Sequence, residues 1–178
     1  LSSKSQTNPN PPKKFGNTKQ GYFHPENPDK YIGEKNNIIF RSSWEHRFMR
    51  YVDKHPRVIA WTSEPDLQIK YFHPIKKKEA KYYPDFLMRV QYDDGNTQDY
   101  LVEIKPKKYY PHTLPNGKIY KPVFEGRKTK KKLENYNYQL EQYLINNEKM
   151  KAAKALCNRM GKEFLIVDED WIENHSLN

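Results

Sequence analysis

The chain has 178 residues, 35% of them hydrophobic and 14% aromatic, with a net charge of +10 and a pI near 9.4. That length supports one domain with a real core, and the low apolar share puts part of the chain, expected to be the N-terminus, outside it. A single cysteine, Cys157, excludes an internal disulfide and a cysteine-based zinc site and fits a reducing compartment; the absence of any run of about 18 apolar residues or of an apolar signal core leads us to expect a soluble intracellular protein.

A basic chain rich in Tyr points to nucleic acid, because cations bind phosphates and rings stack on bases. An anionic membrane is the weaker partner, since no basic amphipathic helix with a strong apolar face is visible. Residues 1–21 hold Ser, Asn, Pro, Lys and Gly with almost nothing to bury, and read as a disordered basic arm. Residues 22–40 contain Pro25, Pro28, Tyr31 and Ile38-Ile39-Phe40. The two prolines forbid a helix there, so an extended segment anchored by its rings and aliphatic side chains is expected.

The first helix opens at Arg41-Ser42-Ser43-Trp44-Glu45 and runs to about His55. Trp44, Phe48 and Val52 make one apolar stripe. Glu45 borders that stripe and has two readings. Ser42-x-x-Glu45 is a capping box; Glu45 is also placed to add a carboxylate to a metal site. Val58–Trp61 and Leu67–Tyr71 read as strands joined by a loop whose acids, Glu64 and Asp66, have a place near the site as one reading but are expected to face water, as loop acids usually do. His73 to Ala80 reads as a basic turn.

The central element is a hairpin with arms Tyr82–Val90 and Tyr100–Lys105. Both arms alternate with period two. Tyr82, Pro84, Phe86, Met88, Val90, Tyr100, Val102 and Ile104 share an apolar face; Asp85, Glu103 and Lys105 lie on the other. A three-residue loop, Asp93-Asp94-Gly95, pairs Tyr92 with Asn96 and so sets Asp85 opposite Glu103. Two carboxylates so placed repel unless a cation lies between them or one is protonated. A hard divalent ion such as Mg²⁺ takes one or two carboxylates plus waters and phosphate oxygens. The alternative is a solvated strand face, with Arg89 and Lys105 neutralising the acids.

Pro106 stops the strand, and the segment to about Arg127 reads as a long basic, aromatic loop. Thr129 to Met160 lacks Gly and Pro, and reads as one long helix or two in line, ended by Gly161. Lys128, Lys130, Lys131 and Lys132 crowd its start, which opposes the helix dipole unless phosphate lies nearby. Glu163–Val167 is a last strand, followed by an acidic tail from Asp168.

The order of these elements resembles the PD-(D/E)xK nuclease superfamily. It looks closest to the branch shared by TnsA-type transposon endonucleases and the head completion nucleases of T4-like phages. The residues that carry the resemblance are Pro25 to Gly33 (Pro-x-Asn-Pro-x-Lys-Tyr-x-Gly), Arg41 to Glu45 (Arg-Ser-x-Trp-Glu), Tyr82 to Phe86 (Tyr-Tyr-Pro-Asp-Phe), Glu103 to Lys105 (Glu-x-Lys) and Asn146 to Lys149 (Asn-x-x-Lys). Met150 stands where an aromatic is expected after the helix lysine.

The resemblance implies an α/β fold of the α+β, restriction-endonuclease-like type. Its mixed central sheet has about four to five strands flanked by helices, with residues 22–167 as the nuclease domain and 168–178 as a tail. It also implies metal-dependent hydrolysis of double-stranded DNA. Asp85, Glu103 and the Ile104 carbonyl then hold Mg²⁺, or Mn²⁺ in its place, and Glu45 completes the site directly or through water. Lys105 orients or deprotonates water, or stabilises the phosphorane. Arg41, Lys107, Lys108, Lys128, Lys130, Lys131 and Lys149 are expected to grip the backbone with little sequence preference. The implied role is trimming packaged DNA so that heads join tails, with head or neck proteins of the portal region as partners, in the host cytoplasm during assembly or on the virion. Two alternatives remain: an inert DNA-binding protein of the head–tail junction, and a basic RNA-associated protein without catalysis.

Overall fold

The computed structural model describes residues 20–175. Of the expected arm at 1–21, residues 1–19 lie outside that range, and Gly21 is the first residue of a strand. This strand, β1 (Gly21–Phe23), pairs antiparallel with β2 (Ile38–Phe40). Between them lies one 3₁₀ turn, Pro28–Lys30. Pro28 starts the turn, where its missing N–H costs nothing, so proline permits this short turn while excluding a longer α-helix.

Helix α1 (Ser43–Lys54) follows, then β3 (Val58–Ser63). The prolyl segment is clamped onto them. The buried Asp53 carboxylate accepts from the Glu26 backbone N–H at 2.8 Å, and the Asp53 carbonyl accepts from Asn27 Nδ2 at 3.0 Å and Lys30 Nζ at 2.9 Å. The Tyr31 ring packs 4.7 Å from that of Trp61. The Pro25 to Gly33 motif is therefore a fastening onto α1 and β3.

Strands β4 (Ile69–His73) and β5 (Lys78–Tyr82) form an antiparallel hairpin, so the stretch read as a basic turn keeps its turn at residues 74–77 and is strand at either end. Next come β6 (Phe86–Gln91) and β7 (Thr97–Ile104). The expected first arm of the central hairpin is split: Tyr82 ends β5 in one sheet and Phe86 begins β6 in another. Pro84, which has no N–H for a ladder, lies in the crossing between them. The register is as expected. Phe86 opposes Val102, the Tyr92 N–H donates to the Asn96 carbonyl at 2.8 Å, and Gly95 is left-handed at φ 85°. Continued by one pair, this register sets Asp85 against Glu103.

Helix α2 (Lys130–Met160) is one continuous element, and Gly161 at φ 63° closes it. It crosses over to β8 (Glu163–Val167), which runs parallel to β7. The main sheet is mixed, in the order β3-β6-β7-β8. The acidic tail forms α3 (Glu169–Asn174), whose Ile172 is buried and whose Trp171 ring packs 5.4 Å from Phe48. Helix α3 thus shares the core of the domain.

Both faces of the sheet are covered. On the α1 side Phe48, Val52, Trp61, Phe86, Met88, Val102 and Ile104 form one cluster. On the α2 side Ile69, Tyr71, Tyr82, Leu101, Ala153 and Cys157 form a second, with Leu87 packed against it. Tyr82 belongs to this second cluster and not to the face that carries Phe86. The face of Asp85 and Glu103 is therefore a core face at Leu87 and Leu101 and polar at both ends: Arg89 pairs with Asp99 at one, and the two acids lie at the other. No described helix is long and apolar enough to cross a membrane.

Candidate active site

The end with the two acids lies where β7 runs into Lys105. Glu103 is only 5% exposed, and its Oε1 pairs with Lys105 Nζ at 3.0 Å. Its Oε2 is buried with no hydrogen-bond partner among the described residues. Asp85 Oδ2 accepts from the Ile104 N–H at 2.7 Å.

Burial pushes the Glu103 carboxyl up to about 7, and the nearby Asp85 charge adds to the shift. Burial also raises Asp85, against the pull of Lys105. Burial pulls the Lys105 ammonium down, but Glu103 and Asp85 outweigh it, so Lys105 titrates above the ordinary lysine range. The buried Glu103 and the half-buried Asp85 thus share one close ammonium, and one carboxylate oxygen is orphaned. The site has more carboxylate acceptors than its neighbours satisfy.

That surplus fits a hard divalent cation. Among the described residues no group of three or more His, Cys, Asp or Glu side chains is placed to hold a metal ion. Two carboxylates are nevertheless enough where waters and phosphate oxygens supply the other ligands.

Glu45 lines the same cleft as Asp85, at the first turn of α1. Its carboxylate accepts from the Arg41 N–H at 2.7 Å and from the Ser42 hydroxyl at 3.0 Å, while its own N–H donates to Ser42 Oγ at 3.1 Å. The cap is therefore made, with the reach-back one residue earlier than in the usual box. Burial raises the Glu45 carboxyl, and the cap bonds oppose the rise.

The predicted cations fall into distinct settings. Lys149 reaches in from α2, its Nζ 5.0 Å from the Tyr82 ring centre and 5.7 Å from that of Tyr71. Burial lowers its pKa, as does repulsion from Lys105. Arg41 pairs with Glu64 at 2.8 Å. Lys107 pairs with Asp170 of α3, and its N–H donates to Glu169 at 2.9 Å, so it is engaged away from the cleft. Lys108 lies over the Tyr109 ring at 4.9 Å. Lys128, Lys130 and Lys131 are exposed around the start of α2.

The segment after Lys105 is held in place, unlike a free loop. Lys107–Tyr109 forms a 3₁₀ turn, the Tyr110 hydroxyl donates to Asp168 at 2.6 Å, and Asn146 Nδ2 donates to the Tyr109 carbonyl at 2.9 Å. Glu64 and Asp66 are exposed, as expected, and Glu64 is also beside the site. Its N–H donates to the Asp85 carbonyl at 2.9 Å, and its backbone takes a positive φ of 46°. With Asp66 and Tyr83 it lines a second recess, of about 400 Å³, that also reaches Asp85.

The main cleft, of about 440 Å³, has α1's first turn as one wall, with Ser42, Ser43, Trp44 and Glu45. Asp85, Ile104, Lys105 and Pro106 form its floor, and Tyr109, Tyr138, Gln142 and Asn146 the opposite wall. Sequence reasoning did not single out Trp44, Tyr138 or Gln142 for the site. A signal existed: Tyr138, Gln142 and Asn146 stand at i, i+4 and i+8 on one helix stripe.

Comparison with known proteins agrees with this geometry. The chain is 36% identical over 150 residues to the head completion nuclease of Enterobacteria phage T4, a match that covers 84% of this chain and 91% of that protein. No solved structure matches. Residues 55–169, which carry Asp85, Glu103, Lys105 and Lys149, match the family described as TnsA-like endonuclease N terminal. With its mixed sheet and an acid pair at one end of it, the chain belongs to the TnsA-like endonuclease family.

Proposed function

We propose that this protein is a divalent-metal-dependent deoxyribonuclease that trims packaged double-stranded DNA during phage head completion, before heads join tails. The observation that carries the reading is the orphaned, buried Glu103 Oε2 beside Asp85, with Lys105 as the one close counter-ion. A pure DNA-binding protein gains nothing from buried acids facing phosphate. The relative's name supports the biological setting.

Asp85 and Glu103 would hold the ion, Mg²⁺ in the cell with Mn²⁺ as a substitute, and the Ile104 carbonyl and Glu45 would complete its surroundings. When bound, the ion supplies charge neutralisation at the scissile phosphate and lowers the pKa of water. The chain's own groups do the rest. The Ile104 N–H fixes one Asp85 oxygen, leaving the other for the cation. Lys105, tethered to Glu103, holds its ammonium at the floor of the cleft, where it orients the attacking water or meets developing charge on phosphate. Lys149 sets a second positive charge behind the acids. Arg41, Lys108 and the lysines at the start of α2 contact the backbone on either side, without reading bases. Head or neck proteins near the portal are the expected protein partners.

Purified protein incubated with supercoiled plasmid in Mg²⁺, Mn²⁺ or EDTA tests the reading. Nicking or linearisation in either metal, absent in EDTA and in a folded Asp85→Ala variant, is the expected result. Tight DNA binding with no cleavage in either metal would return the protein to a structural role at the head–tail junction.

A further inference from the structure

The cleft over the acids has walls that backbone gripping does not explain. Trp44 stands on one side, and Tyr109 and Tyr138 on the other, with their ring centres 6.1 Å apart and nearly perpendicular. Tyr138 is 56% exposed, so its ring is available to a ligand. Gln142, one turn further along α2, lines the same wall, and its side-chain amide has no hydrogen-bond partner among the described residues. Lys108 adds a cation over the Tyr109 ring. The cleft, of about 440 Å³, has room for a single nucleotide.

Ring walls and a free amide select for bases that are not paired. In a duplex, each base has its faces covered by its neighbours and its pairing edge covered by its partner. An unpaired base offers both a face to stack and an edge to bind, and stacking on an aromatic side chain is sequence-tolerant because every base has a π-face.

We infer that the cleft takes one unpaired nucleotide next to the scissile phosphate, stacked on Tyr138, so that frayed ends, overhangs and single strands are preferred over fully paired duplex. This rests on the nuclease reading and narrows its substrate. It places the enzyme after a step that leaves DNA ends with unpaired strand, whose product is trimmed here. The preference belongs to the cleft, while the exposed lysines outside it still grip paired backbone nearby.

The test uses the full chain in EDTA, so that binding is read without cleavage. The probes are a single-stranded oligonucleotide and a duplex with a short overhang, each with 2-aminopurine in the unpaired stretch, and a fluorescently labelled blunt duplex of the same sequence. Quenching of 2-aminopurine reports stacking. The expected result is binding to the two unpaired probes about 10-fold tighter than to the blunt duplex, with quenching. Tyr138→Ala should lose the quenching and most of that preference, and Tyr138→Phe should keep both. Tyr138 is exposed, and a thermal melt of each variant checks its fold. Equal affinity for blunt and unpaired DNA, or full preference and quenching in Tyr138→Ala, would overturn the inference and leave the nuclease reading standing. Failure to bind any of the DNAs would overturn the inference, while the nuclease reading stands or falls on the plasmid assay in metal.

Discussion

The two faces of the β6–β7 hairpin are both buried, yet they do opposite things. Phe86, Met88, Val102 and Ile104 face α1 and pack into one apolar cluster. Leu87 and Leu101 face α2 and do the same, but the next pair along that face is Asp85 and Glu103. Burial raises both acids and leaves one of their oxygens unpartnered. The first face lowers the free energy of the fold. The second accepts a local cost that a fold without function would remove by substitution. Residues one step apart on a strand should therefore fail in different assays.

The largest expected effect is on the costly face. Asp85→Ala and Glu103→Ala should each lower metal-dependent plasmid cleavage by about 100-fold or more. Their melting temperatures without metal should equal or exceed that of the wild type, because each removes repulsion. A loss of activity explained by unfolding would break the comparison. Phe86→Ala should do the reverse. Its ring is fully buried against Phe48, and its loss should cost about 3–5 kcal/mol, read as a lower urea midpoint.

A pH series sharpens the contrast. The Glu103 carboxyl lies above its unfolded value, at about 7, and Asp85 and Glu45 are shifted in the same direction. The folded protein then binds protons more tightly than the unfolded chain. In EDTA, its stability should fall as pH rises from the ordinary carboxylate range towards 7. Glu103→Gln should flatten that slope, and Mg²⁺ should oppose it by binding only the folded state. Thermal melts at several pH values check this. The smallest effect belongs to the cap: Ser42→Ala should cost about 1 kcal/mol, and it also frees the Glu45 carboxylate from one of its donors.

The acid pair was legible because its causes are local. Alternation marks the faces, and Asp93-Asp94-Gly95 sets the register that aligns Asp85 with Glu103. The Ser42 cap and the Gly161 stop are local in the same way. What sequence left open depends on contacts far apart in the chain. Glu64 sits in an ordinary-looking loop, and only its N–H bond to the Asp85 carbonyl brings it to the site. Lys107 looks like any other lysine until α3 folds back and offers Asp170. Tyr82 alternates with Phe86 but belongs to the other cluster, because the crossing at Tyr83 to Asp85 changes sheets. Tyr138 and Gln142 become a cleft wall only because α2 crosses beside the Lys107–Tyr109 turn.

The most direct measurement compares neighbouring residues from the two faces in one assay. Glu103→Gln and Val102→Ala are made in the full chain, confirmed folded, and given supercoiled plasmid with Mg²⁺, with Mn²⁺ and with EDTA. The account predicts that Val102→Ala cleaves in metal at close to the wild-type rate below its melting temperature. It predicts that Glu103→Gln, as stable as the wild type or more so, does not cleave. Cleavage by Glu103→Gln at the wild-type rate would contradict the claim that the buried acid pair is the catalytic centre.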